Sequence, residues 1–150
     1  MLGGQIMNSY LKLNTGVKTS TLGEVYESMY IKKSGNSIIF QISAENIGDK
    51  PIKHALIKCE LPRYIQFHRI TREGSGNSFY SKISNSIVWS IPLLKGNATR
   101  TLDFIGHVLP GLASGDNIEL RSRILEYQID DSIQYDFDES VIAKITLYKV

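Results

Sequence analysis

The chain has 150 residues, 42% of them hydrophobic and 21% charged, and its 17 Lys and Arg against 15 Asp and Glu give a formal net charge of +2. This is the size and balance of one ordinary globular domain, able to bury about two-thirds of the surface its unfolded form exposes, and it excludes a disordered chain. The scattered basic residues form no stripe that would neutralise a phosphate backbone, which excludes nucleic acid as an expected partner, and no apolar run of about 18 residues is present for membrane insertion.

The N-terminal stretch MLGGQIMNSYLKLNTG lacks the charged start and continuous apolar segment of a secretory signal. The chain is therefore expected to act where it is made, or to have lost a targeting segment. Within the first 24 residues Leu11, Leu13, Thr15 and Val17 alternate with Lys12 and Lys18, the period-two pattern of a strand. Gly3-Gly4 and the Gly16 to Gly23 stretch, rich in Thr, Ser and Gly, flank it as flexible joints. Residues 1–24 read as an N-terminal arm or extra strand, and 25–150 as the domain proper. The arm's apolar row, entered from Tyr10, would stand exposed on a lone subunit and calls for a cover, either its own sandwich edge or a neighbour's sheet.

Val25 to Lys32 reads as the first strand of the domain. From Ser37 to Glu45, Ile38, Phe40, Ile42 and Ala44 share one face, with only Ile39 breaking the alternation. Ala55, Ile57, Cys59 and Leu61 form the next inward set, ended by Pro62, which cannot donate to a ladder. Ile65 and Phe67 continue briefly, and Glu73-Gly74-Ser75-Gly76-Asn77 reads as a mobile hairpin end. Ile87, Trp89 and Ile91 follow, then the Lys95-Gly96-Asn97 turn, then Leu102, Phe104, Gly106 and Val108 on one face. After a Pro110-Gly111 loop, Ile118, Leu120, Ser122 and Ile124 point inward while Glu119, Arg121 and Arg123 point outward. Val141, Ala143, Ile145 and Leu147 make the last inward row. About seven or eight short strands joined by short connections define an all-β, immunoglobulin-like antiparallel β-sandwich with an extra N-terminal strand. Phe40, Ile57, Leu61, Trp89, Phe104, Leu120 and Ile145 are its expected core.

Candidate chemistry is sparse. Cys59 stands alone, which excludes an internal disulfide, and sits in an inward row as an unreactive buried thiol. His54, His68 and His107 fall on outward positions of different strands with no spacing that joins them as metal ligands. Asp130, Asp131, Asp136, Asp138 and Glu139 form an acidic loop whose spacing matches no calcium-loop register, so a solvated turn is expected. Gly74-Ser75-Gly76 is neither a nucleophile elbow nor a phosphate loop. No catalytic residue, metal or cofactor is expected, and the chain does not read as an enzyme. A binding rim would draw on Tyr80, Tyr127 and Tyr135.

The stretch from Ser37 to Leu102 resembles the DUF11-type conserved repeat domain, an immunoglobulin-like module of prokaryotic surface proteins. Asn46-Ile47-Gly48 matches the Asn-x-Gly turn that ends the family's second strand, and Ala55 to Pro62 its next strand with a Leu-Pro corner. Val88-Trp89-Ser90-Ile91, then Leu94-Lys95-Gly96 and Thr101-Leu102, match the tryptophan strand, the turn and the strand after it. Near the end the chain departs from the family, with Arg121-Ser122-Arg123-Ile124 in place of the usual Asn-x-Ala type segment. The resemblance implies a non-enzymatic subunit of a surface filament, layer or coat, partnered by copies of itself or by other surface proteins and joined by N-terminal strand addition. The alternative is an adhesion module that binds carbohydrate or protein through its loops. The expected place is a cell surface or extracellular assembly, with a spore surface or virus particle fitting the lack of a signal.

Overall fold

The structure is a computed structural model that describes residues 10–18, 25–26, 28–31, 37–135 and 141–149. Among these residues there are twelve strands and no helix: β1 (Leu11–Lys18), β2 (Val25–Tyr26), β3 (Ser28–Ile31), β4 (Ser37–Asn46), β5 (Ile52–Glu60), β6 (Ile65–Arg72), β7 (Asn77–Ser81), β8 (Ser86–Leu94), β9 (Thr99–Val108), β10 (Asp116–Ile129), β11 (Ser132–Tyr135) and β12 (Val141–Lys149). They form a five-stranded sheet in the order β2-β1-β4-β9-β6 and a seven-stranded sheet in the order β3-β12-β10-β5-β8-β7, with β11 added beside β10. All pairings are antiparallel except β12 with β3.

The period-two rows explain why the sheets pack face to face. Residues i and i+2 of a strand lie on one face, so each apolar row becomes half of the core. β4 buries every second residue from Ile38 to Asn46. Opposite it in register, β9 places Leu102 beside Ile42 and Phe104 beside Phe40, whose rings stack at 5.0 Å. The second sheet supplies Ile57 paired with Trp89, together with Leu120 and Ile145. Phe40, Ile57, Trp89, Phe104 and Leu120 are fully buried, Ile145 is 1% exposed and Leu61 8%. Each such side chain taken from water contributes about 1.5–3 kcal/mol. The side chains of Val141 and Ala143 lie outside the described residues.

Three expectations change. The strand expected from Val25 to Lys32 is two short strands in different sheets, because the chain crosses from one sheet to the other between Tyr26 and Ser28. β7 and β11 are added strands; their sequences NSFYS and SIQY are too short and too polar for alternation to mark them. The turn after β6 is pinned rather than mobile. Gly76 N–H donates to Glu73 O (3.0 Å), as does the Trp89 indole N–H (2.8 Å), and the Glu73 carboxylate accepts from Ser78 N–H and Oγ at 2.7 and 2.6 Å. Gly76 is required here, since a Cβ would stand 2.2 Å from Ser90 O.

Candidate assembly surfaces

The N-terminal strand is part of the sandwich. β1 pairs with β4 through eight successive residue pairs, from Leu11 with Asn46 to Lys18 with Ile39, and β2 continues the sheet on its other side. Leu11, Leu13 and Val17 are 3%, 5% and 0% exposed, and Thr15 is half-buried. The row expected to stand exposed on a lone subunit is thus covered within the chain, because its alternation meets the inner faces of β10 and β12. Gly16, expected in a joint, lies inside β1; Gly3, Gly4 and residues 19–24 are outside the described residues. Tyr10 is half exposed at the head of the strand. Its N–H donates to the Tyr127 hydroxyl at 3.0 Å, and its carbonyl accepts from Ile47 N–H at 2.9 Å.

The far end of β1 carries a feature that alternation does not reveal. Lys18 points to the outer face of the five-stranded sheet, yet is only 3% exposed. Its Nζ donates to Asp103 Oδ2 of β9 at 3.0 Å, reaching across the intervening β4. Gln41 Nε2 donates to Asp103 Oδ1 at 2.9 Å, and Arg72 approaches the same carboxylate at 4.0 Å. A buried charge is tolerated only when paired and hydrogen-bonded, so this cluster fixes which residue of β1 sits over β4 and β9.

Exposed large apolar side chains gather at opposite ends of the sandwich. At one end Ile83, in the turn between β7 and β8, is fully exposed, with Leu109 36% exposed where β9 has ended. The β7–β8 turn is held beside the Leu61-Pro62 corner by Leu61 N–H donating to Asn85 O. At the other end stand Tyr10 at 48%, Ile47 at 47%, Leu93 at 44% and Ile133 at 57% exposed. Phe79, 62% exposed, lies on the outer face of the edge strand β7.

The remaining expected sites resolve as follows. Tyr80 is half-buried, stacked on Phe67 at 4.3 Å with its hydroxyl on Asn85, and Tyr127 is 1% exposed; they form no common rim, and the Tyr135 side chain is outside the described residues. Asp130 pairs with Lys50 at 2.9 Å in the open, the bond raising the Lys50 pKa; Asp136, Asp138 and Glu139 are outside the described residues. His54 stands apart, but His68 and His107 come together at 4.6 Å between ring centroids, against the expectation from spacing. Strand register brings them together, and no interval in the sequence announces it. Among the described residues no three His, Cys, Asp or Glu side chains gather as metal ligands, and no helix is long and apolar enough to cross a membrane.

Fold and packing define an all-β, immunoglobulin-like sandwich. No protein-family model and no curated protein matches the chain. Solved structures share its architecture at low identity. BcpA, the major pilin subunit of Bacillus cereus, matches 93% of this chain with 40% of its own at 11% identity and a TM-score of 0.61. The C-terminal fragment of the major pilin GBS80 of Streptococcus agalactiae matches 93% of this chain with 56% of its own, at 9% identity and a TM-score of 0.64. The seventh ScaB type I cohesin from Pseudobacteroides cellulosolvens matches 92% with 93% of its own, at 11% and 0.60. The chain thus spans about two-fifths and just over half of the two pilin chains.

Proposed function

We propose that this chain is a non-enzymatic structural subunit of a self-assembling surface filament, layer or coat. The observation that carries it is the placing of exposed apolar side chains at both ends of the sandwich, Ile83 and Leu109 at one and Tyr10, Ile47 and Ile133 at the other. A contact between two different surfaces at opposite ends repeats without closing, and so builds an open chain of copies. Two pilin subunits among the structural neighbours support the reading through shared fold, and the DUF11-like motifs support it through the surface proteins that carry that module. A cell-surface or extracellular location goes with it. The test is electron microscopy and sedimentation of the purified chain over a concentration series. Filaments or sheets are expected, and a monodisperse monomer at millimolar concentration overturns the reading.

In its finer form the join is made by the N-terminal strand. β1 leaves its place against β4 and takes the same register on β4 of a neighbouring copy, re-forming the Lys18–Asp103 pair between chains. Lys12 and Glu45 face one another in the β1–β4 ladder, so a Lys12→Cys/Glu45→Cys disulfide would hold β1 at home. Strand exchange predicts that the oxidised variant stays monomeric and assembles again on reduction. Assembly that is unchanged by the disulfide rules out exchange and leaves the end surfaces as the joint.

A further inference from the structure

We propose that His68 and His107 form a two-imidazole site for a divalent transition-metal ion of the zinc, nickel or copper kind, on the outer face of the five-stranded sheet. Their ring centroids are 4.6 Å apart and the rings are tilted by 48°. Two imidazoles bound to one tetrahedral ion, with metal–nitrogen bonds of about 2.1 Å, place their centroids about 5 Å apart. The pair therefore stands near ligating distance before any ion arrives.

Two further features aim the rings. His107 Nδ1 lies 2.9 Å from Ser37 Oγ, its register partner on β4. With Nδ1–H donating to that hydroxyl, the lone pair is left on Nε2, the arrangement in which metal-binding histidines are usually oriented by an outer oxygen. On the other side of β9, the ladder register of β6 shifts between Phe67 and Arg69. This bulge leaves His68 and Arg69 both exposed, where a regular strand would turn one of them inward, and bulges commonly re-aim a side chain in this way. Gln66 is the direct ladder partner of His107, so the bulge decides how the ring two residues further on leans back toward it.

The chemistry selects the ion. Calcium and magnesium take clustered oxygen ligands, which two imidazoles do not supply. Zinc, nickel and copper accept neutral nitrogen donors, and two protein ligands leave coordination positions open to water.

The chain contains three histidines and one cysteine, the latter buried, which makes the test clean. The full chain is titrated calorimetrically with Cu²⁺, Ni²⁺ and Zn²⁺ at pH 7.5 and at pH 5. One ion per chain is expected, tightest for Cu²⁺ and weaker at pH 5, where protons compete for the imidazoles. His68→Asn and His107→Asn should each lower the affinity at least about 10-fold and Ser37→Ala about 10-fold, while His54→Asn leaves it unchanged. All four positions are at least partly exposed, and an unaltered strand-type circular-dichroism spectrum verifies that each variant folds. Binding that is unaffected by either substitution of the pair, or the lack of any binding below millimolar metal, overturns the proposal.

Discussion

Asn46 shows how a single side chain can join three segments. It is fully buried, and its Nδ2 donates to Lys50 O at 2.7 Å and Leu94 O at 3.0 Å, while its Oδ1 accepts from Gly48 N–H at 3.0 Å. The backbone adds Asn46 N–H to Ala98 O and Asn97 N–H to Gly48 O, so the turn after β4 is tied to the turn after β8. Gly96 is part of the same contact, because a Cβ there would stand 2.6 Å from Asp49 O. Asn46→Ala removes three hydrogen bonds, those to the Lys50 and Leu94 carbonyls and that from the Gly48 amide, and should cost about 2–4 kcal/mol in denaturant unfolding. A loss below 0.5 kcal/mol (roughly the scatter of surface substitutions) would contradict this account. Cys59 makes the opposite case, a polar atom held inert. Burial pushes its thiol up to about 12 from 9.0. The folded state therefore disfavours the thiolate, so Cys59 should resist a maleimide at pH 8 until the protein is unfolded. Because the folded pKa lies above the unfolded one, this contribution to stability is fully present below pH 9 and fades as pH rises toward 12. The stability of Cys59→Ala should accordingly fall less steeply over that window than that of the parent.

Among the elements, β1 depends most on one charged contact. Lys18 and Asp103 are 3% and 2% exposed in their side chains, and they couple β1 to β9 across β4. Lys18→Met leaves the buried carboxylate to the Gln41 amide and the more distant Arg72 and should destabilise by about 3 kcal/mol, as should removal of the carboxylate by Asp103→Leu, whereas the double variant should recover much of the loss. Additive losses in the double variant would show that the two side chains act separately. This pair also marks where sequence reading stops. The rows of β4, β5, β8, β9 and β10 were legible because their alternation is long and their inner residues are large. Lys18 alternates as an outward residue, and nothing local says that its outer face is covered. The division of Val25 to Lys32 between two sheets, and the meeting of His68 with His107, depend on cross-strand register and on the β6 bulge. Those are tertiary facts, set by partners that lie tens of residues away.

At the scale of the molecule the core is a single layer between two sheets, and Trp89 is its largest fully buried side chain. Trp89→Ala should cost about 3–5 kcal/mol, a large part of the 5–15 kcal/mol available to a domain, and unchanged thermal stability would contradict its role. The two ends of this layer differ in what they expose, which gives the proposed assembly a polarity that can be tested. Strands of ten residues such as β4 and β9 span about 33 Å, so the Ile83 and Ile47 ends are well separated and can be altered independently. Ile83→Asp spoils one end and Ile47→Asp the other. If copies join head to tail, each variant alone should stay monomeric, since every contact needs one surface of each kind. Mixed together, the intact Ile47 end of the first variant can meet the intact Ile83 end of the second. The resulting pair presents an altered surface at both of its outer ends, so association should stop at the dimer in analytical ultracentrifugation. Dimers of either variant alone would show that copies join like end to like end, and longer oligomers in the mixture, or full assembly by either variant alone, would show that they join through the sides of the sandwich.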